Sequence, residues 1–320
     1  AYEISLGLVG SEMCIRDSCD IDPYTGCPDP ADIEKRITPN TKAVIIVHLG
    51  GMPAEMDAII EVSQRYDLIV IEDCSHAHGA TYKGQKVGTI GDIGCFSMQA
   101  GKLLPAGEGG VMITNNLAWH ERAICLGHYE RIPHLSNPDY HKYSPTCFGY
   151  KYRISPLSAA IARVQLRHLD RRNKQRNDNV MYLMDGISAF PGMYPLKPAE
   201  YIFRGYYSNP YICYDAGELS GLPKSKFIKA LCAEGASVAS GAPGGSDHLS
   251  AMFQERNHPA FSRPEIQRKV TYEQGDLPYS EKPRQDLMTI PAFPVANKAL
   301  LDQYIEAFHK VTANVVELLE

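Results

Sequence analysis

Four short apolar runs constrain the fold of this chain more than any other feature. They are AVIIV at 43–47, LIVIED at 68–73, IGCFSM at 93–98 and GGVMITN at 109–115. Each has the length and the continuous apolar character of a buried strand. A segment with apolar residues at helical spacing, EMDAIIEVSQRYD, separates the first two runs. Buried strands that alternate with helices predict an α/β layer with a mainly parallel sheet, and the turn at Gly109 and Gly110 leaves room for one antiparallel pair.

The second half of the chain predicts a smaller α+β domain. A long helical pattern spans about 157–187, after which glycine and proline interrupt the chain. The later elements are a half-exposed strand in YYSNPYICYD, an amphipathic helix in KSKFIKALCAEG and a long terminal helix in LLDQYIEAFHKVTANVVELL. We therefore divide the chain into a large domain at 19–188, which includes the linking helix, and a small C-terminal domain at 189–320.

The composition narrows the class of protein. Hydrophobic residues make up 44% of the 320 residues and charged residues 22%, as in soluble globular proteins. The net charge of −5 argues against a nucleic-acid partner, and no apolar run is long enough to cross a membrane. The nine cysteines are scattered without a CxxC pair, which argues for reduced thiols in the cytoplasm and against disulfides or a zinc cluster.

The first residues of the chain do not fit the pattern of the rest. The string EMCIRDS within 1–18 resembles the translation of a transposase-adapter end used in sequencing libraries. A natural leader is the alternative, but the segment lacks a basic start and a long apolar core. We expect residues 1–18 to be a non-native scar, and the large domain to lack a part that precedes it.

Three polar residues follow or end the predicted strands of the first half. Asp73 ends one strand, Ser97 lies near the end of another, and Lys102 follows in a loop. In open α/β sheets, ligands bind at the carboxyl ends of the strands. An amine, a carboxylate and a hydroxyl suit pyridoxal 5'-phosphate, which needs a Schiff-base lysine, an acid at its pyridine nitrogen and donors for its phosphate. The alternatives are a solvated lysine and an aspartate that caps the next helix.

The local sequence around Lys102 carries a family resemblance. The string VIEDCSHAHGATYKGQKVGTIGDIGCFSMQAGKLLPAGEGGVMITNN resembles the core of the DegT/DnrJ/EryC1/StrS sugar aminotransferases, which are fold-type-I pyridoxal phosphate enzymes. Similarity to other segments of that family is carried by the strings CDIDPYTGCPDPADIEKRITPNTKAVIIVHLGGMPAEMD, FGYKYRISPLSAAIARVQLRHLDRR, GDLPYSEK and IPAFP. The resemblance covers essentially residues 19–320, and it is most specific over 70–115.

The resemblance implies roles for individual residues. Lys102 matches the family's Schiff-base lysine, which also moves the substrate proton. Asp73 matches the acid that faces the pyridine nitrogen, and a buried carboxylate there would form a charge-assisted pair. His76 matches a position near the cofactor ring and its 3-oxygen, and Ser97 matches a hydroxyl that contacts the phosphate.

Other positions of the family pattern are matched less closely. Gly109 and Gly110 match the turn behind the lysine. Lys151 stands where the family often has an asparagine that reaches the phosphate of the partner subunit's cofactor, and a lysine could serve there as a point charge. Arg153 matches an arginine expected at the dimer interface. The glycine-rich segment that precedes the first core strand in the family has no counterpart in this sequence.

The resemblance implies an aminotransferase that passes an amino group from glutamate or glutamine to a keto-sugar or a keto-cyclitol. A nucleotide-linked sugar, as in polysaccharide biosynthesis, is the expected form of the former. A homodimer with shared active sites is expected. Two alternatives stay open: a sugar dehydratase on the same scaffold, against which Lys102 argues because those relatives replace the lysine, and a truncated, non-catalytic fragment that binds pyridoxal phosphate.

The remaining candidates are expected to be structural. Cys74, His76 and His78 would share a face if the segment were extended, but no fourth ligand follows, so we predict no metal site. His48 and His78 are interpreted as histidines with satisfied hydrogen bonds, and Glu108 as a loop residue.

Overall fold

A computed structural model describes residues 17–146, 149–241, 247–254, 272–282, 284–295 and 297–320. The expectation that the chain begins with a non-native scar falls almost entirely on residues 1–16, which lie outside the described residues. The family segment assigned to 148–172 is described except for its first residue.

The strands are named in chain order. They are β1 (Ala43–Val47), β2 (Ile69–Asp73), β3 (Thr81–Tyr82), β4 (Gln85–Lys86), β5 (Ile93–Ser97), β6 (Gly110–Thr114), β7 (Met193–Pro195), β8 (Ile202–Phe203), β9 (Tyr211–Tyr214), β10 (Ala239–Ser240) and β11 (Leu287–Thr289). The first, second, fifth and sixth strands coincide with the four apolar runs of the sequence.

The helices are numbered in the same way. They are α1 (Pro30–Arg36), α2 (Met56–Arg65), α3 (Leu117–Gly127), α4 (Pro156–Ile187), α5 (Lys224–Ala233), α6 (Ala251–Gln254), α7 (Pro278–Glu281), α8 (Lys298–Ala313) and α9 (Val315–Leu319). Short 3-10 segments lie at Leu49–Gly51, Tyr129–His134, Pro138–Thr146, Gly217–Leu219 and Asp247–Leu249.

The first half forms a four-stranded sheet in the order β1-β2-β5-β6. Strands β1, β2 and β5 are parallel, and β6 returns antiparallel to β5 from the turn at Gly109. Val44, Ile46 and Val70 point into a core that α2 covers with Ile59 and Val62. The mainly parallel sheet and its single antiparallel strand confirm the predicted α/β architecture.

The second half has its own core around a four-stranded antiparallel sheet in the order β10-β11-β9-β7. The C-terminal part of α4 packs there against α8, and Leu183, Phe227 and Phe308 are fully buried between the elements. The long helix α4 begins as predicted, because Ser155 accepts a hydrogen bond from the Leu157 amide and Pro156 occupies the first turn.

Two predicted elements of the second half differ from the structure. Strand β9 covers only the end of the YYSNPYICYD string, since residues 206–210 lie outside the strand and Tyr206 has a φ of 50°. The terminal helix is not continuous: α8 ends at Ala313, and α9 begins after Asn314, whose side chain donates to the carbonyl of Lys310. A polar residue that can bond its own backbone competes there with the helical ladder.

A small third sheet brings the two halves of the chain together. Strand β8 pairs antiparallel with β3, which in turn pairs with β4. The residues that follow β8 therefore lie against the first sheet, although they come from the part of the sequence assigned to the small domain. None of the helices in the described part of the chain is both long and apolar enough to cross a membrane.

Candidate active site

Asp73 and Ser97 lie at the same edge of the first sheet. Each is the last residue of a strand, β2 and β5 respectively, and the two strands are parallel neighbours in which Asp73 is level with Cys95. Both side chains are half-buried. The structure therefore brings together the acid and the hydroxyl that the sequence placed at strand ends.

The segment that follows Asp73 turns sharply. Asp73 Oδ1 accepts the backbone N–H of Ser75 at 2.9 Å, and no helix follows within 74–80. The alternative in which Asp73 caps a helix is therefore wrong. The premise that Cys74, His76 and His78 share one face of an extended segment is also wrong, since this segment forms consecutive turns that bury Cys74 and His78 and leave His76 half-buried.

Directly beneath Asp73, His48 and Glu72 form a fully buried pair. His48 Nε2 lies 3.0 Å from Glu72 Oε2, and His48 Nδ1 accepts the backbone N–H of Ala54 at 3.1 Å. The carboxylate also accepts the backbone N–H groups of Gly88, Ile90 and Gly91. His48 is thus the satisfied structural histidine that we predicted.

These contacts explain the state of the Glu72 carboxyl group. Burial alone raises its pKa, but the hydrogen bonds from His48 and from the Gly88 and Gly91 amides outweigh burial and hold the pKa below its ordinary value. Ligand atoms of His48, Glu72 and Cys74 lie within 4.8 Å of one another. Because hydrogen bonds already occupy both His48 nitrogens and both Glu72 oxygens, we interpret the cluster as a structural network.

Lys102 projects from a compact loop between β5 and β6. The loop is closed by two hydrogen bonds of Met98, which donates to the carbonyl of Gly109 and accepts from the amide of Ala106. The Lys102 amide donates to the carbonyl of Gln99 at 2.9 Å. The Lys102 side chain is half-buried, and no carboxylate among the described residues forms an ion pair with it. An amine in this setting is available for chemistry.

The ring of Tyr207 joins Lys102 to His76. Lys102 Nζ lies 4.9 Å from the centroid of the Tyr207 ring, a cation–π distance. The same ring stacks on His76, with centroids 4.1 Å apart and planes inclined by 17°. His76 Nδ1 accepts the backbone N–H of Gly50 at 3.3 Å. The turn after β1 therefore also contributes to the site.

The charges around His76 act on its pKa. Burial lowers the pKa and the ammonium of Lys102 lowers it further, whereas the carboxylate of Asp73 raises it; the net effect is a pKa below the ordinary value. His76 is therefore a neutral ring near neutral pH.

His78 does not behave as the sequence suggested. It is buried beside Phe96, with ring centroids 5.5 Å apart, yet neither ring nitrogen reaches a hydrogen-bond partner among the residues that the structure describes. The well-formed hydrogen bonds expected of a satisfied histidine are therefore missing, although the backbone of Ser97 acts on the ring. Burial lowers the pKa of His78 and the Ser97 backbone raises it; the net effect is a pKa below the ordinary value, so the ring is neutral.

The other candidates lie elsewhere. Lys151 is exposed, its Nζ lies 5.8 Å from the ring centroid of Tyr129, and Arg153 forms an exposed ion pair with Glu130 at 2.6 Å. Glu108 is exposed in the loop. No hydrogen bond, ion pair or ring contact among the described residues joins Lys151 to Lys102, Asp73, His76 or Ser97. Within one chain, Lys151 and Arg153 are therefore separate from the site.

The two glycines behind the lysine loop have a packing role. Gly109 has a φ of 148°, and a Cβ at this position would lie 3.1 Å from Ile154 Cδ1. Gly110 begins β6. The constraint on Gly109 thus comes from its backbone conformation and from Ile154, and not from Lys102 itself.

Sequence reasoning missed Tyr207, Gly50 and Arg204. Tyr207 contacts both Lys102 and His76, and Arg204 Nη2 donates to the Gly50 carbonyl at 3.2 Å. No local pattern marks these residues, because the contacts depend on the pairing of β8 with β3. The two consecutive glycines of HLGGMP, both of which have a positive φ in the structure, were an available signal of a functional turn after β1.

Comparison with known proteins identifies a matching family and several similar proteins. Residues 17–235 match the DegT/DnrJ/EryC1/StrS aminotransferase family. An L-glutamine:2-deoxy-scyllo-inosose aminotransferase from Micromonospora echinospora is 31% identical over 310 residues, which cover 93% of this chain and 71% of that protein. The spore coat polysaccharide biosynthesis protein SpsC of Bacillus subtilis is 30% identical over 297 residues, 91% of this chain and 72% of the relative.

A solved structure shares the architecture. An aminotransferase from Psychrobacter cryohalolentis superimposes with a TM-score of 0.72 and 25% sequence identity, over 93% of this chain and 75% of that one. The family match spans the residues that hold Lys102, Asp73, His76 and Ser97, and the similarity extends into the second half of the chain. The chain therefore belongs to the DegT/DnrJ/EryC1/StrS aminotransferase family.

Proposed function

We propose that this protein is a pyridoxal 5'-phosphate-dependent aminotransferase that passes the amino group of glutamine or glutamate to a keto-cyclitol or a keto-sugar. The observation that carries the proposal is the grouping at the carboxyl edge of the parallel sheet, where Asp73 ends β2 and the ring of Tyr207 contacts both Lys102 and His76. Family membership supports the reaction class, and the position of the site agrees with ligand binding in open α/β sheets.

The side chains at this edge fit the cofactor. The Lys102 amine has no ion-pair partner among the described residues, and Asp73 uses only Oδ1 for an internal hydrogen bond, at Ser75. Ser97 offers a half-buried hydroxyl beside them. This set supplies an amine, a carboxylate and a hydroxyl, which are the groups that pyridoxal phosphate requires. When bound, the cofactor supplies an electron sink that makes the carbon beside the transferred nitrogen acidic.

Each residue would then have one task. Lys102 would hold the cofactor covalently and, once released, would move the proton at the reacting carbon. Asp73 would hold the proton of the pyridine nitrogen by a charge-assisted hydrogen bond. His76 would donate from its ring to an anionic oxygen, and Ser97 would bind phosphate.

The named relatives support the choice of donor and acceptor. One acts with L-glutamine on 2-deoxy-scyllo-inosose, a keto-cyclitol, according to its name, and another belongs to spore coat polysaccharide biosynthesis. A cyclitol and a sugar ring both present a ketone flanked by hydroxyl groups, so the site chemistry suits either one. We place glutamine and a keto-cyclitol first, because the donor and acceptor are both named for that relative.

We further propose a cytoplasmic homodimer. All cysteines of the described residues are free thiols, which agrees with a reducing compartment. Lys151 and Arg153 are exposed and shortly precede α4, whose first turns carry an exposed apolar stripe of Leu157, Ile161 and Val164. Both features agree with a role toward a partner subunit. Lys151 would then contact the phosphate of the partner's site.

The test is to locate the covalent attachment. Pyridoxal phosphate is added to the purified protein, borohydride fixes the adduct, and peptide mass spectrometry identifies the modified lysine. We expect the label on Lys102 and its loss in Lys102→Ala, with Lys174→Ala, at an exposed position on α4, as the matched control that keeps it. Labelling of other lysines alone would contradict the assignment.

A second measurement separates binding from turnover. Glutamine added to the loaded protein should convert the cofactor to its amine form, which changes the visible absorbance. If the protein binds the cofactor at Lys102 but no amino donor gives this change, the chain is a non-catalytic cofactor-binding protein, and the proposed activity is wrong.

A further inference from the structure

The turn after β1 determines which nitrogen of His76 carries the proton. The backbone N–H of Gly50 points at His76 Nδ1 over 3.3 Å. A ring nitrogen that accepts a hydrogen bond carries no proton, so the single proton of the neutral ring lies on Nε2. His76 can therefore donate a hydrogen bond through Nε2–H and only through it.

A buried arginine holds Gly50 in this position. Arg204 is 4% exposed, and its Nη2 donates to the carbonyl of Gly50 at 3.2 Å and to Oγ of Ser208 at 3.1 Å. The Ser208 amide donates to the same carbonyl at 3.3 Å. Gly50 has a φ of +60°, and a Cβ there would collide with the Ser208 side chain. The turn is thus held at the amide and at the carbonyl of Gly50, which belong to consecutive peptide units.

The same segment places the ring that covers His76. Tyr207 lies between Arg204 and Ser208, and its ring stacks on the imidazole at 4.1 Å. The guanidinium of Arg204 itself packs on the ring of Tyr206 at 4.5 Å. No carboxylate among the described residues forms an ion pair with Arg204. Burying an unpaired guanidinium costs free energy, so its contacts to Gly50 and Tyr206 have to offset that cost.

We propose that Arg204 is a positioning residue of the active site, which acts through the Gly50 amide and the Tyr207 ring to fix His76 as an Nε2–H donor. The groups that face His76 are the Lys102 ammonium, the Asp73 carboxylate, the neutral His78 and the Tyr207 phenol. The use of this donor toward an anionic oxygen of a bound cofactor rests on the proposed function. The proton position itself belongs to the protein without any ligand.

The test uses the cofactor-free protein with 15N-labelled histidine, and long-range 1H–15N spectra assign the proton of each neutral ring. We expect His76 in the Nε2–H form in the wild type. In Arg204→Met, the ratio of the Nε2–H to the Nδ1–H form of His76 should fall about fivefold, the ratio that about 1 kcal/mol corresponds to. Arg204→Lys should restore part of it, because an ammonium can still donate to the Gly50 carbonyl.

Two controls keep the outcome clear. His48 also accepts at Nδ1, from the Ala54 amide, so its signal in the same spectrum reports an intact fold in every variant. Arg65→Met removes an exposed arginine that pairs with Glu34 and Glu61, and should leave His76 unchanged. If Arg204→Met loses the His48 signal, Tyr207→Leu provides the second variant, in which the same loss of preference at His76 is expected.

The proposal is wrong if wild-type His76 carries its proton on Nδ1. It is also wrong if the ratio is unchanged in Arg204→Met while His48 keeps its signal, or unchanged in Tyr207→Leu where that variant replaces it. Because no cofactor is present, failure of these measurements is distinct from failure of the borohydride labelling that tests the proposed function.

Discussion

The charge of Lys102 acts on His76, and a single substitution can measure this effect. The ammonium lowers the pKa of His76, as burial does, and Asp73 opposes both. Lys102→Met should therefore raise the pKa of His76, and Asp73→Asn should lower it further. An NMR titration of the C2 proton measures both shifts. Lys174→Met removes an exposed lysine that pairs with Asp178, and is the control that should leave His76 unchanged. An unchanged pKa of His76 in Lys102→Met would show that the two groups do not interact.

For individual residues, the sequence indicated a shared site only where polar side chains lie at the ends of predicted strands. Asp73 and Ser97 could be placed on one edge because parallel strands bring their carboxyl ends together. Tyr207 could not be found, since its contact with Lys102 follows from the pairing of β8 with β3, and no periodicity encodes that pairing. Arg204 could not be found from the sequence either, because an arginine that is buried without an acidic partner has no recognisable sequence pattern.

Among the elements, the Glu72 carboxylate connects three parts of the first sheet. Glu72 is the penultimate residue of β2. Its carboxylate accepts a hydrogen bond from His48, which directly follows β1, and accepts backbone N–H groups from the turn at 88–91, which precedes β5. Glu72→Gln would set an amide N–H₂ group against some of these donors. We expect it to lower the free energy of unfolding by about 3 kcal/mol, measured by urea denaturation at pH 7. Glu61→Gln, at an exposed position on α2, should change it little.

Comparison of the wild type with Glu72→Gln also gives a prediction for how stability depends on pH in the acid range. The pKa of Glu72 in the folded protein lies below its ordinary value of 4.5, because its hydrogen-bond donors outweigh the effect of burial. Its contribution to stability is therefore complete above about pH 4.5 and is lost as the pH falls through the folded-state pKa. The difference in unfolding free energy between wild type and Glu72→Gln should shrink over that range. A difference that grows toward acid would show that the carboxylate is destabilising.

The elements themselves followed from the sequence wherever burial dictated a simple period. The runs that became β1, β2, β5 and β6 have the length and apolar character of strands, and α4 has the length that its helical pattern predicts. Burial follows the pattern less closely, since most of β6 and alternate residues of β1 are exposed. The two-residue strands β3, β4 and β8 are too short to have a period. The break at Asn314 depends on one side chain that competes for backbone hydrogen bonds, which the apolar pattern of the last helix conceals.

For the whole molecule, the sequence predicted two cores, and the structure has one around each four-stranded sheet. The division at 188/189 remains a prediction, because α4 runs from one core to the other and β8 crosses back to the first. What the sequence could not give was this crossing, which carries Arg204 and Tyr207 from the second half of the chain into the site of the first. The geometry of this site therefore depends on the pairing of β8 with β3, which joins the second half of the chain to the first.

The proposed homodimer is the last prediction to test, and the apolar stripe of α4 is where we expect its contact. Leu157, Ile161 and Val164 follow one another at helical spacing and are exposed, with Leu157 at 78%. Leu166 is also exposed, at 60%, but nine residues from Leu157 it lies on the opposite side of the helix. Leu157→Glu should raise the dimer dissociation constant at least about 100-fold, because a buried unpaired carboxylate costs several kcal/mol. Leu166→Glu should leave it unchanged. Sedimentation velocity at several concentrations measures both, and equal weakening by the two substitutions would place the dimer contact elsewhere.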